Sequence, residues 1–521
     1  MEYNALWQQP GQGSQRALPP AQNPYELSTL KAPTFDPGLC DTLFDMQWTK
    51  ELFCGLVEWS QDRNVIPLAA KAWDVLEDGR RYVFHLRQDL SWSDGQPVTA
   101  GDFAYAWKRV LDPATNAQSA NLLYDIRGAR DYHEGRVAGS DEVGVRVRGP
   151  YTLEVELEEP CGYFPYLLGD PITFAVPQHV IESAGQAWTE PGRIVTNGAF
   201  QLESSDQPSG REFHFTRNPR YFGSYRGNIE QVTLSVHQNE LDAYHAFVAG
   251  KLDMVEFLIP PLQPEELKRY RELGQLRTSA IPFVDAIYFM ADRPPFDNPD
   301  LRRAFALATD REKLAREIGN QLPATGGYVP PGLPGHSPDI GLPYDPSEAR
   351  RVLASAGYPQ GRGFPPVALL LGLVGLEKGD TLVFSHLQDM WRENLGVTIQ
   401  KQMHDPEILQ FDDQQDFSLF FLGWLADFPD PASFLQANYL LDQSHWRNPQ
   451  FDTLVDAGRR TLDQEQRMQL YRNADRILMQ EAVVLPLFYG HICELTHPWV
   501  HQPAGSSIYS SQWKDITLMP H

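Results

Sequence analysis

The run Phe417-Ser418-Leu419-Phe420-Phe421-Leu422 is halted by Gly423-Trp424-Leu425-Ala426-Asp427-Phe428-Pro429-Asp430-Pro431. The apolar part reads as a buried strand. Proline has no amide hydrogen to give a neighbouring strand, so the burst of proline ends it. Its last side chains and free backbone groups then project from the sheet. In open sheets with crossover helices, ligands collect beyond such strand ends. Asp427 there can receive a cation, and Trp424 can offer a flat apolar wall. The plainer reading is a strand-to-loop exit, with Asp427 capping the turn and Trp424 in the core. The stretch alone leaves both open.

Other segments alternate between strand and helix signals. Residues 81–86 and 151–157 show the period of two expected of half-buried strands. Thr99 is followed three residues later by Asp102, close to a capping box. A helix should follow to about Leu111, with Phe103, Trp107 and Val110 on one face. Asp112-Pro113 stops it. Residues 46–59 carry Trp48, Leu52, Leu56 and Trp59 at helical spacing, which predicts a helix there. Further helices are expected over 241–249, 300–309, 348–356, 382–395, 451–461 and 465–480. Strands are expected near 281–290, 367–371, 397–399 and 483–489. Residues 322–346, dense in Pro and Gly, should form a long loop. Mixed signals of this kind imply an α/β or α+β chain with more than one sheet.

With 521 residues the chain has room for two to four domains. Its net charge of −24 argues against a nucleic-acid footprint and against anionic lipid surfaces. Cys40, Cys54, Cys161 and Cys493 form no CxxC pair, so zinc and thioredoxin-like chemistry are not expected. The histidines show no HExxH spacing, and GxSxG, GxGxxG and GxxxxGK[ST] are missing from the sequence. No metal, cofactor or catalytic residue is expected. The start shows no basic segment followed by an apolar core, so no signal peptide is visible. The longest apolar run, residues 367–376, contains two glycines and falls well short of the ~20 residues a spanning helix needs.

The stretch Trp92-Ser93-Asp94-Gly95-Gln96-Pro97-Val98-Thr99-Ala100-Gly101-Asp102-Phe103-Ala104-Tyr105-Ala106-Trp107-Lys108-Arg109 resembles the large solute-binding proteins of peptide ABC importers, the oligopeptide-binding branch of family 5. Ala69-Ala70-Lys71-Ala72-Trp73, Phe84-His85-Leu86-Arg87, Val195-Thr196-Asn197-Gly198-Ala199-Phe200, Pro294-Pro295-Phe296, residues 423–431 and His497-Pro498-Trp499-Val500 agree in order and spacing. The resemblance runs from about Tyr25 to the C-terminus.

It implies a two-lobed periplasmic-binding-protein type II fold with an additional small third lobe. Residues 1–24 would be a flexible leader. Lobe I would combine 25–53, 176–280 and 490–521. The small lobe would be 54–175, and lobe II 281–489. A ligand would lie between lobes that close by hinge motion. The resemblance gives Asp427 the peptide's α-ammonium. It gives Gly423 and Leu425 backbone pairing with an extended peptide as an added strand. Trp424 becomes a side-chain pocket wall. Asp41 becomes an acidic ligand contact on the opposite lobe, and Leu43 a backbone contact there.

Three features depart from the family pattern. Arginines that meet a peptide's C-terminal carboxylate are replaced by Phe421 and Asp412, and two tyrosines fall at about Ser119 and Gly490. The ligand's far end is therefore not assigned. The implied function is capture of a peptide or related amine-bearing solute for delivery to an ABC permease, as an extracytoplasmic monomer that is not an enzyme. Two alternatives remain: a ligand-sensing domain of a longer or intracellular regulator, and a non-peptide solute. Asp430, which precedes proline, is expected to shape a turn. Trp92 and Trp107 are expected in the core, and His85 is expected to be a satisfied strand histidine.

Overall fold

The computed structural model describes residues 21–40, 42–60, 62–206, 210–258, 260–318, 322–372, 377–403, 417–436, 439–503 and 512–520. Two four-stranded sheets and one large mixed sheet carry the architecture. The first sheet orders its strands as Tyr25–Thr29, Gln231–Val236, Glu212–Arg217 and Phe200–Ser205. Its first pair is parallel and the others antiparallel. Tyr25, Leu27 and Thr29 are buried while Glu26 and Ser28 are half-buried, the period of two that a one-sided sheet requires.

The second sheet, Ala70–Leu76, Arg81–Leu86, Thr152–Glu156 and Val145–Gly149, is antiparallel throughout. The helix Ala100–Leu111 lies against it and begins with a complete capping box. Thr99 N donates to Asp102 Oδ2 at 2.7 Å, and Gly101 N donates to Thr99 Oγ1 at 3.2 Å. Reciprocal bonds of this kind satisfy amides that the first helical turn leaves unpaired. Phe103, Trp107 and Val110 are buried on the inner face, and Trp92 is buried beside them. His85 bonds Asp74 at 2.8 Å.

The large sheet orders Met254–Phe257, Val484–Thr496, Leu276–Phe289, Leu419–Leu425, Ala368–Leu371 and Gln400–Met403. Its two long strands, Leu276–Phe289 and Val484–Thr496, run antiparallel across it. Their register breaks between the pairs Ala280↔His491 and Val284↔Tyr489. Ile281, Pro282 and Phe283 thus stand opposite Gly490 alone. A Cβ at Gly490 would come within 2.6 Å of Phe283 Cβ, so only glycine fits. The hydrophobic core divides at the same place. Ile287, Phe289, Phe305, Leu369, Leu387 and Trp391 belong to one cluster, whereas Ile281 and Ile492 form a small separate one.

The stripe over residues 46–59 resolves into two elements rather than one helix. The helix is Leu43–Leu52, capped by Thr42, whose Oγ1 accepts from Asp45 N at 3.1 Å. Val57–Trp59 is a short strand paired with Val65–Pro67. Gly55 lies between them where a Cβ would meet the Phe174 ring at 2.5 Å. The fourfold spacing continued across this break by coincidence: Trp48 and Leu52 serve the helix, and Trp59 serves the strand. All four cysteines are buried free thiols. Among the described residues no helix is long and apolar enough to cross a membrane.

Candidate functional site

The strand Leu419–Leu425 changes character along its length. Leu419, Phe420 and Phe421 are buried, and Leu422 to Leu425 are half-buried. On one side it pairs over its whole length with the long strand, from Phe289↔Leu419 to Phe283↔Leu425. On the other side it pairs in parallel with Ala368–Leu371 only at Leu369↔Leu419 and Leu370↔Phe420. Among the described residues no strand pairs with Leu422 to Leu425 on that side. An edge of this kind can accept an extended chain as a further strand. At Gly423 a Cβ would sit 2.1 Å from Phe283 Cζ, so the glycine lets the Phe283 ring lie against the strand.

The strand exit is closed by Ser433, at the first turn of the short helix Ala432–Leu435. Asp427 N donates to Ser433 Oγ at 3.0 Å, and Ser433 Oγ–H donates to Asp427 Oδ2 at 3.1 Å. The Trp424 indole Nε1 donates to the Ser433 carbonyl at 2.9 Å. Ala426 N reaches Pro282 O at 2.9 Å, tying the exit to the irregular part of the long strand. One serine therefore orients both side chains that the sequence singled out. Asp427 does shape the turn, and it keeps a carboxylate that no lysine or arginine pairs with among the described residues. Burial, with the Asp170 carboxylate adding to it, pushes Asp427 up to about 7. Desolvation and a nearby like charge both disfavour the ionised form.

Asp430 also turns the chain, accepting from Ala432 N at 3.0 Å, and it does more than a surface turn residue would. Its Oδ2 meets Arg467 Nε at 3.1 Å, and both side chains are only 1 % exposed. Phe428 stacks on Tyr163 with centroids 5.1 Å apart. Ala426, Phe428 and Pro429 line a cavity of about 220 Å³ with Trp59, Arg63 and Pro282. The segment expected to be a small lobe thus meets the strand end here.

Of the residues predicted on the facing side, Asp41 lies outside the described residues, as does Asp412. Leu43 opens the helix Leu43–Leu52. Its neighbour Phe44 lines a cavity of about 490 Å³ with Glu240, Glu256, Phe257 and Ile492. Ile492 packs in the small cluster that Phe283 and Leu425 join. Phe421 is buried in the large-sheet core, where no arginine-like reach is available to it. Ser433, Trp59, Lys50 and Asp170 were not found from sequence. Ser433 had one faint signal, its place two residues after Asp430-Pro431.

A family model described as bacterial extracellular solute-binding proteins, family 5 Middle, matches residues 64–446. The chain belongs to the family 5 bacterial extracellular solute-binding proteins. This family 5 protein is 32 % identical over 483 residues to the periplasmic oligopeptide-binding protein OppA of Escherichia coli, covering 90 % of this chain and 87 % of that one. It is 31 % identical over 513 residues to the probable deoxycholate-binding periplasmic protein YgiS of the same organism, covering 94 % of this chain and 92 % of that one. It superposes with TM-score 0.75 on the crystal structure of Haemophilus influenzae OppA in complex with RPPGFSPFR. That match is 25 % identical and covers 96 % of this chain and 100 % of the other. The family 5 protein therefore has the mixed α/β, periplasmic-binding-protein type II fold. Among the described residues no group of three or more His, Cys, Asp or Glu side chains is arranged to hold a metal.

Proposed function

We propose that this protein captures peptides between two lobes, outside the cytoplasm, and delivers them as a monomer to an ABC permease. The observation that carries the reading is Asp427, a half-buried carboxylate at a strand end with no cationic partner among the described residues. A carboxylate away from water is stabilised when a cation joins it. A peptide's α-ammonium supplies that cation, and its backbone then runs along the unpaired edge at Gly423 and Leu425. Trp424 walls a side-chain pocket beside them. Asp41 and Leu43 would contact the peptide from the facing lobe.

The lobes we assign are 25–53 with 176–280 and 490–521, a small lobe 54–175, and 281–489. The register break at Ile281 to Phe283 opposite Gly490 supports a hinge at that boundary. OppA relatives named as oligopeptide-binding support the guest class. A relative named as probably deoxycholate-binding raises a second guest class. A bile acid carries a carboxylate and no cation, so it would leave Asp427 without a partner, and the peptide reading is preferred.

Calorimetry with trialanine, N-acetyltrialanine and deoxycholate tests this. Trialanine should bind wild type and should weaken in Asp427→Asn by about 2 kcal/mol or more, the cost of leaving one member of a desolvated charge pair alone. N-acetyltrialanine should bind poorly to both. Equal affinity of wild type for the free and acetylated peptides would reject the ammonium site, and tight deoxycholate binding would favour the second class.

A further inference from the structure

Two seams hold the segment 54–175, the proposed small lobe, and they differ in kind. Towards lobe I the seam is dry. Arg109 Nη1 and Nη2 donate to Asp36 Oδ1 and Oδ2 at 2.9 and 2.5 Å, and Trp188 Nε1 donates to the same carboxylate at 3.2 Å. That ion pair is largely buried. Beside it Ser93 N donates to Thr196 O at 2.7 Å, and Cys54 N donates to Asn197 Oδ1 at 2.9 Å.

Towards residues 281–489 the seam is charged and reached by water. It forms at the end of the helix Pro449–Arg460. Arg459 Nη2 meets Asp125 Oδ1 at 2.5 Å, and its Nη1 meets Glu159 Oε2 at 3.1 Å. Arg460 Nη2 meets the same Glu159 oxygen at 2.8 Å, and both of these side chains are about half exposed. Gly162 N donates across the seam to Arg459 O at 2.7 Å. A Cβ on Gly162 would fall 2.1 Å from Thr461 O, so only glycine lets the two backbones meet. Asp125 Oδ2 also accepts from the Tyr163 hydroxyl at 2.6 Å. Tyr163 is the ring on which Phe428, the residue after Asp427, stacks. One carboxylate therefore holds both an arginine of the far helix and the ring that covers the strand exit.

We propose that Asp125, Glu159, Arg459 and Arg460 form an ionic latch that fastens the small lobe over the strand exit at Asp427 and releases when the lobes part. The inference rests on the lobe division proposed above and on no particular guest. An exposed ion pair is weak singly and is screened by salt, which suits a contact that must open. Separating the buried Asp36–Arg109 pair would strand desolvated charge, so that seam stays shut. The motion then divides the molecule where the long strands lose register, at Ile281 to Phe283 opposite Gly490.

The other charges along the seam have partners of their own. Asp456 reaches Arg460 at 3.8 Å within the same helix, and Asp430 is held by Arg467. Glu158 Oε1 accepts from Gly128 N at 2.7 Å. Arg63 Nη2 crosses the seam to donate to Ala280 O at 3.3 Å and adds to the latch without pairing with an acid there.

Hydrogen exchange of the guest-free protein, resolved to single amides, tests this. The Gly162 amide reports the charged seam and the Ser93 amide reports the dry one. Glu159→Gln keeps the side chain's size and removes the charge on which both arginines converge. Gly162 should then exchange about two- to fivefold faster, with Ser93 unchanged. Raising sodium chloride from about 0.05 M to about 1 M should speed Gly162 in wild type, and less so in Glu159→Gln. Unchanged Gly162 exchange in Glu159→Gln overturns the latch, as does a joint rise at Gly162 and Ser93, which would mean general loosening. Equal binding of trialanine and its N-acetyl derivative would instead defeat the amine reading while leaving the exchange result standing.

Discussion

Arg467→Met removes one half of a buried ion pair and leaves the other half in place. Asp430 and Arg467 are each 1 % exposed, with Arg467 Nε 3.1 Å from Asp430 Oδ2. Arg467 Nη1 also donates to the carbonyls of Thr461 at 3.2 Å and Leu462 at 3.3 Å. Its guanidinium lies 5.5 Å from the Tyr166 ring. Methionine fills most of the same volume, so the main loss is charge compensation. Stranding a buried carboxylate costs about 3–5 kcal/mol. In the proposed lobe 281–489, roughly 200 residues, each kcal/mol shifts the melting temperature by about 2–4 °C, so a fall on the order of 10 °C is expected at neutral pH.

Asp430 can escape part of that cost by taking a proton. Burial already raises its pKa and Arg467 is the charge holding it down, so the deficit should shrink in mild acid. The double variant Asp430→Asn, Arg467→Met removes both charges and should recover most of the loss. Circular dichroism melts at neutral and mildly acidic pH measure all three proteins. A single variant melting within about 1 °C of wild type would refute the reasoning, as would a double variant no more stable than the single one.

Two further outcomes follow from the same geometry. Gly423→Val should lower peptide affinity at least about tenfold in calorimetry, because a Cβ there would drive into the Phe283 ring and overpacking distorts the strand edge. The guest-free protein should melt higher near pH 5 than near pH 8. Asp427 and Asp475 are raised to about 7 by burial and Glu51 to about 8, all far above their unfolded values. The folded state therefore holds more protons than the unfolded chain across that window. That stability is complete in acid and is lost as pH rises through the folded values. His237 and His491, whose charged forms burial disfavours, oppose the trend in its acidic half. A melt that rises steadily with pH across the window would contradict the assignment.

The sequence alone determined the elements whose signals are local. Pro429 and Pro431 mark the strand exit, because a residue without an amide hydrogen cannot extend a ladder, and the strand Leu419–Leu425 stops shortly before them. Thr99 and Asp102 start a helix because their side chains satisfy its first amides. These signals sit within a few residues of what they control, as do the motifs that carried the family resemblance. The helix expected over residues 46–59 is present only to Leu52, because spacing says nothing of a close approach from elsewhere in the chain. Gly55, just past its end, lies where a side chain would meet the Phe174 ring.

Tertiary structure alone decided the charge environment of Asp427. Ser433 orients it, and the Asp170 carboxylate, from a segment far away in the sequence, bears on it. Asp430 became half of a buried pair only because a distant helix brings Arg467 to it. Electrostatic fields and desolvation depend on separation in space, and a linear order of residues does not contain those distances.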